Sequence, residues 1–433
     1  MRLHATTQTD LGLATIPAPQ TVEETGLGRT LLEQLALKIL SAHGELFVRD
    51  LAEQMCVAFP IAEELFQRLR RDQLCEVTGM AGGVHRIALT SQGRARALEL
   101  LSQSQYCGPA PVSVRDYIRR VRAQSTTAMT IHPAMVRKAL EHLVIAEDVI
   151  RQIGSALVSG RSMFLYGSTG SGKTTVAESL GRIFSHDQIW VPYCIEVGGQ
   201  IITIYDPLTH ERVQQGVATY GDPRWVCCRR PHVLVGGELT MEMLDLEFNP
   251  VSKFYSAPAQ LKANNGLLIV DDFGRQRIRP EELLNRWVVP LDRRIDLLTL
   301  VGGTKIEIPF DVFVVFATNL DPASLADAAF LRRLHMKIKL DTVTREQFRE
   351  IFRQVCRDLE LDYDPRDVEQ LMDLIVAQLS EPLRACHPRD IIQQICWTAR
   401  YDGKPPQLTW EALAGACRSY FLEPPPGHPA ISS

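Results

Sequence analysis

One run constrains this chain more than any other: Gly167-Ser168-Thr169-Gly170-Ser171-Gly172-Lys173-Thr174. It has the spacing of the phosphate-binding pattern GxxxxGK[ST], and both flanks suit that pattern. Residues 162–166 form a short apolar stretch that predicts a strand, and residues 176–180 open a helical pattern. Glycines at these spacings let backbone N–H groups turn inward on an anion, and the amino end of the following helix adds a favourable dipole. A chain with this signature is expected to build a parallel sheet with covering helices. Lys173 is expected to reach the β- and γ-phosphates of a nucleotide and Thr174 to bind Mg2+ through its hydroxyl, with Ser168, Thr169, Ser171 and Thr175 completing the cradle.

A phosphate loop needs a second strand that ends in a carboxylate for the metal. Residues 266–272, Gly-Leu-Leu-Ile-Val-Asp-Asp, supply it: the apolar run fits a buried central strand and Asp271 stands at its carboxyl end, where open parallel sheets bind ligands. Asp271 is therefore expected on the metal. Asp272 is expected to polarise the attacking water, although it could instead cap the following turn. ATP and Mg2+ are the implied ligands, and ATP hydrolysis the implied reaction.

Three further features resemble one branch of the phosphate-loop proteins, the AAA+ ATPases. Residues 313–319 form an apolar run ending in Asn319, which resembles the sensor 1 strand; the resemblance implies that Asn319 holds the lytic water or touches the γ-phosphate, while an ordinary strand end would also carry an Asn. Residues 328–334 resemble the helix end that presents an arginine finger to a neighbouring subunit, so Arg332 or Arg333 is expected to act there; a pair of arginines on a solvated helix is the bland alternative. His387-Pro388-Arg389-Asp390 opens a helix in an all-helical segment, where Arg389 matches sensor 2 in position and Arg384 competes with it. This order extends over residues 131–421 and implies a ring, most often of six subunits.

Lys173 and Asp271 lie farther apart than a minimal core of this type requires, which implies a β-rich insertion near residues 195–260. A hairpin over residues 297–308, turning through Gly302-Gly303, is similar to the pre-sensor hairpin of the clade that contains MoxR-like chaperones, RuvB-type and MCM motors and sigma-54 activators. Phe254 and Tyr255 could grip a client beside it, but an aromatic pair in an apolar stretch fits a core better.

The remaining chain divides by composition. Residues 1–29 lack periodicity and are expected to be a disordered arm; residues 30–105 carry three helices, a hairpin and a trailing helix, and resemble a winged helix-turn-helix domain; residues 106–130, with Cys107-Gly-Pro-Ala-Pro, are expected to be a linker. The α/β core is expected over 131–340, beginning with a helical stretch at 132–156, a helical lid over 341–422, and a proline-rich tail over 423–433. In the winged segment eight basic residues face nine acidic ones, and the whole chain carries a net charge of -4. An adaptor or assembly role toward a protein client is therefore favoured over duplex reading, which remains the alternative. No apolar run reaches the ~20 residues needed to cross a bilayer, and scattered cysteines without metal-ligand spacing fit reduced thiols, so a cytoplasmic protein without membrane insertion is expected.

Overall fold

The computed structural model describes residues 15–213, 221–321 and 336–421. The fold is α/β, and its centre is a five-stranded, wholly parallel sheet. The strands run in the spatial order His232–Val235, Leu267–Val270, Phe313–Thr318, Met163–Tyr166 and Met336–Lys339. Leu267–Val270 and Phe313–Thr318 are buried along their whole length, as central parallel strands covered on both faces must be. Their side chains alternate between two cores. Leu267, Ile269, Phe313 and Val315 meet the helices Pro133–Leu140, Glu147–Ser159 and Lys173–Phe184, whereas Leu268, Val270, Val314 and Phe316 meet Trp287 of the helix Pro280–Arg293.

The strand bearing Asp271 is not adjacent to the phosphate-loop strand. Phe313–Thr318 lies between them, pairing Phe316 with both Val270 and Phe164. This shared register brings the carboxyl ends of all three strands to one edge, where Gly167, Asp271 and Asn319 follow them.

A β-rich insertion follows the helix Lys173–Phe184. Gln188–Pro192 pairs with Trp225–Arg229, and a mixed sheet contains Glu247–Phe248, Tyr255–Ser256, Gln200–Thr203, Cys194–Val197 and Val112–Ser113. The expected hairpin is present as Ile295–Thr299 with Lys305–Pro309, and its Leu298, Ile306 and Ile308 enter the insertion's core. Tyr255 is buried there, and its hydroxyl accepts from the Val301 N–H at 2.8 Å. Tyr255 is thus core, while Phe254 packs partly buried beneath the amino-terminal unit.

That unit contains helices Arg29–His43, Val48–Met55 and Phe59–Arg71, then Ser91–Gln103 after a hairpin of Cys75–Ala81 and Val84–Leu89. A third antiparallel strand, Glu45–Phe47, pairs beside Val84–Leu89. Three residues are too few to show alternation, so this strand left no mark in the sequence pattern.

Three expectations need correction. Residues 15–29 are not a loose arm, because Val22, Thr25 and Leu27 are buried; residues 1–14 lie outside the described residues. Residues 106–130 are not a bare linker. The stiff Pro-containing stretch ends at Pro111, after which Ser113 accepts a hydrogen bond from the Asp116 N–H and caps the helix Val114–Ala123, whose Tyr117 and Val121 are buried. Lastly, residues 132–156 form two helices, interrupted between Leu140 and Glu147.

The lid consists of Arg345–Asp358, Pro365–Asp373, His387–Tyr401 and Trp410–Tyr420 around Phe348, Phe352, Leu371 and Ile391. Thr344 and Gln347 form a reciprocal capping box at its start. Among the described residues no helix is long and apolar enough to cross a membrane.

One buried charge joins the amino-terminal unit to the insertion. Arg224 donates to both carboxylate oxygens of Asp222, the closest contact being 2.8 Å, and its Nη1 reaches the carbonyls of Thr25 and Pro111, each at 3.1 Å. Both side chains are almost wholly buried. Removing one partner of such a pair leaves an uncompensated charge in low dielectric. Arg224→Ala is expected to lower unfolding free energy by about 3–5 kcal/mol, with partial recovery in Arg224→Ala/Asp222→Ala, as read by urea denaturation.

Candidate nucleotide site

The phosphate loop is held by close backbone contact. A Cβ on Gly167 would stand 1.9 Å from the Leu340 carbonyl oxygen, so only glycine fits between the loop and the neighbouring strand end. Lys173 begins its helix and folds back over the loop, donating to the carbonyls of Gly167 at 3.0 Å and Ser168 at 2.8 Å. Burial holds its ammonium below the ordinary value, while Asp271 and Asp272 pull in the opposite direction.

Thr174 and Asp271, ninety-odd residues apart in the chain, meet directly. The Thr174 hydroxyl lies 2.9 and 3.0 Å from the two carboxylate oxygens of Asp271. A hydroxyl and a carboxylate are hard oxygen donors of the kind Mg2+ takes from proteins, with water and substrate phosphate filling its other positions. No group of three or more His, Cys, Asp or Glu side chains converges among the described residues.

Asp272 follows with φ +47° and an exposed side chain. Among non-glycine residues Asp and Asn tolerate this left-handed region best, which gives a backbone reason for Asp at this position. Its carbonyl accepts from the Arg275 N–H at 2.9 Å, so the residue also shapes the turn. The carboxylate lines the same cavity as Lys173 and Thr174.

Asn319 donates from Nδ2 to the Thr169 hydroxyl at 3.1 Å. Its Oδ1 and the Ser168 hydroxyl are buried without partners among the described residues. Polar atoms left unmatched in this way favour a site that takes up a polar ligand.

The lid closes the cavity from the other side. Its volume is about 350 Å³, and its lining includes Thr169, Gly170, Ser171, Gly172, Thr175 and Arg389 besides Lys173, Thr174, Asp271, Asp272 and Asn319, whereas Gly167 and Ser168 are not among the lining residues. Arg389 thus faces the loop. Arg384 pairs with Glu381 at 3.0 Å and is not among the residues lining this cavity, although its Nε is buried without a partner among the described residues and its Cδ would lie 3.7 Å from a Cβ on Gly170. The Cys386 N–H donates to the Gly170 carbonyl at 3.1 Å, tying lid to loop through main chain. Arg332 and Arg333 lie outside the described residues.

Several lining residues carried no motif. His142, Val144 and Ile145 come from the break between two helices, and Ile351 and Val355 from the first lid helix. Their apolar faces suit a planar base. The available signal was the pair of apolar positions at 351 and 355, one helical turn apart, but the same spacing marks any core.

His387 sits behind this contact, wholly buried against Tyr420 and Phe421, with Nε2 unpartnered. Burial, assisted by the Arg384 charge, pushes its imidazole down to about 4 from 6.5. The unfolded ring takes a proton below 6.5 while the folded ring stays neutral to about 4, so stability present above this window is lost as pH falls through it. Thermal melts from pH 7 to 4 are expected to fall less steeply for His387→Phe than for the native chain. Gly170, at φ +79°, would carry a Cβ only 2.5 Å from the Cys386 sulfur. Gly170→Ala is expected to cost roughly 1–2 kcal/mol in backbone conformation alone, and to weaken nucleotide affinity in a fluorescent-nucleotide titration.

Residues 344–419, most of the lid, match a family model described as a domain of unknown function, DUF8689. No curated protein matches the chain. Solved structures with some similarity include NtrX from Brucella abortus, at 13% identity and TM-score 0.39, covering 84% of this chain and 63% of that one. Domain III of the Thermotoga maritima replication initiation protein DnaA is similar at 13% identity and TM-score 0.38, covering 68% of this chain and all of that one. The Thermotoga maritima RuvB Holliday junction branch migration motor is similar at 14% identity and TM-score 0.35, covering 63% of this chain and 68% of that one. The chain thus spans under two thirds of the length of NtrX.

Proposed function

We propose that this chain is a Mg2+-dependent ATPase of the AAA+ type that couples ATP turnover to remodelling or assembling a protein partner. The observation that carries the reading is the meeting of Thr174 with both carboxylate oxygens of Asp271 at the mouth of the phosphate loop. Thr174 and Asp271 would hold Mg2+ there, and the ion would supply charge neutralisation to the β- and γ-phosphates. Lys173 exchanges its loop carbonyls for phosphate oxygens, and the loop N–H groups cradle the chain of phosphates. Asp272 takes the proton side of the attacking water, Asn319 orients that water, and Arg389 follows the phosphate from the lid. Arg332 or Arg333 acts on the site of a neighbouring subunit in a ring, with six subunits as the expected number and the cytoplasm as the expected compartment.

The amino-terminal unit is best suited to protein contact, as a winged-helix adaptor. Several of its basic side chains are matched to acids nearby: Arg29 pairs with Glu23 and Glu64, Arg68 with Glu33, Arg86 with Glu45 and Arg96 with Glu99. A duplex would have to displace these acids. Arg70 and Arg71, exposed at the end of the helix Phe59–Arg71 without ion pairs among the described residues, favour the second reading, a nucleic-acid-bound regulator switched by ATP.

Lys173→Ala is expected to abolish ATP binding; retention of affinity would place the site elsewhere. Asp272→Asn should keep affinity and slow phosphate release from ATP by about 10²-fold or more, the scale of one general-base residue. A mixture of Lys173→Ala subunits with Arg332→Ala/Arg333→Ala subunits should regain part of the ATPase activity if fingers act between subunits. Salt-dependent duplex binding that Arg70→Glu/Arg71→Glu abolishes would decide for the regulator.

A further inference from the structure

The last two lid helices leave an open groove between them. It has a volume of about 410 Å³ and is lined by Ala412, Gly415 and Ala416 on one side and Ile395, Thr398 and Ala399 on the other. A Cβ on Gly415 would meet nothing within 4 Å, so the groove is free of side chains at that point. Beside it, on the helix His387–Tyr401, stand the two most exposed aromatic side chains of the lid. Trp397 is 65% exposed and Tyr401 92%. They are four residues apart, so they share one helix face. Gln394 and Thr398, three positions before each of them, line the groove, which makes this aromatic face one rim of it.

The groove is also continuous with the end of the described chain. Ser419 lines it and accepts a hydrogen bond from Gln394 at 2.6 Å. Two residues later Phe421, with extended backbone, packs on His387 with ring centroids 5.0 Å apart. The next residues are Leu422-Glu423-Pro424-Pro425-Pro426-Gly427-His428-Pro429. Proline runs favour the polyproline II helix, which is preformed, pays little ordering entropy, and recognises grooves rimmed by aromatic side chains.

The geometry points to this groove as the docking site of the chain's own proline-rich tail, residues 422–429. The dimensions agree. Trp397 lies ten positions beyond His387, about 15 Å along the helix axis. The five residues 422–426 span about 15 Å in polyproline II. Pro426 would therefore arrive level with the Trp397 indole and Pro424 and Pro425 just before it, and the small residues at 412, 415 and 416 leave room for their rings. Tyr401 extends the rim toward Pro429.

Docking here acts on the lid end that faces the nucleotide cavity. Tyr420, two positions before the tail, donates to Asp390 at 2.9 Å, and Asp390 lines that cavity. A seated tail holds the helix Trp410–Tyr420 against the helix that carries Arg389.

Tryptophan fluorescence tests the proposal in the full chain. Trp190, Trp225 and Trp287 are buried and Trp410 is half-buried, so Trp397 is the indole most open to a soluble quencher. In the native chain, acrylamide quenching of Trp397 should be weak. Replacing Pro424, Pro425 and Pro426 together by Ser should raise it, and a synthetic peptide of residues 422–433 added to that variant should restore protection. Trp397→Phe should erase the difference between the two tails, which assigns the signal. Equal quenching of the native and triple-Ser chains would overturn the proposal. Protection that disappears on dilution of the native chain would also overturn it, by assigning the groove to the tail of a second copy. The measurement needs no nucleotide, so its outcome is independent of the proposed ATPase reading.

Discussion

A hydroxyl on one helix and a carboxylate at the end of a strand two places away must stay within 3.0 Å of each other, and most of the core exists to keep them there. The distance is set by register. Phe313–Thr318 pairs in parallel with both outer partners, so a slip by one residue on either side would reverse which face each side chain occupies and move Asp271 off the edge. Burial of alternate residues in two separate cores makes such a slip expensive on both faces at once.

How much of this was legible in the sequence differs by element. The phosphate loop and the strand before Asp271 were readable because their chemistry demands particular residues at fixed spacing: glycines for close backbone approach, a lysine and a hydroxyl at the helix start, four apolar residues before a carboxylate. The sheet order was not readable, since five short apolar runs permit many arrangements. Strand Glu45–Phe47 and the pairing of Val112–Ser113 escaped because two or three residues carry no periodicity. The helix Val114–Ala123 was hidden behind Pro109 and Pro111, whose stiffness marks the end of one element but says nothing about how soon the next begins. The break after Leu140 was invisible for the opposite reason: its residues are compatible with a helix, yet the helix Pro133–Leu140 ends before them.

Within the site, the lid residues show the same division. Arg389 and Arg384 are five positions apart and equally cationic, and composition could not separate them. Their surroundings differ: Arg384 pairs with Glu381 behind the loop, while Arg389 stands on the cavity wall. Asp272 illustrates a constraint that no motif states. Its backbone lies in the left-handed region, where Asp is among the better-tolerated non-glycine residues, although Glu360 also adopts it in this chain.

The amino-terminal unit and the insertion do not merely touch. Cys194 and Ile201 of the insertion belong to the same apolar cluster as the three amino-terminal helices, the Tyr106 hydroxyl meets the Cys194 sulfur at 3.0 Å, and Arg224 reaches back to Thr25 and Pro111. These contacts are apolar, sulfur-mediated and ionic in turn, so any opening between the two would have to break buried contacts of three kinds at once.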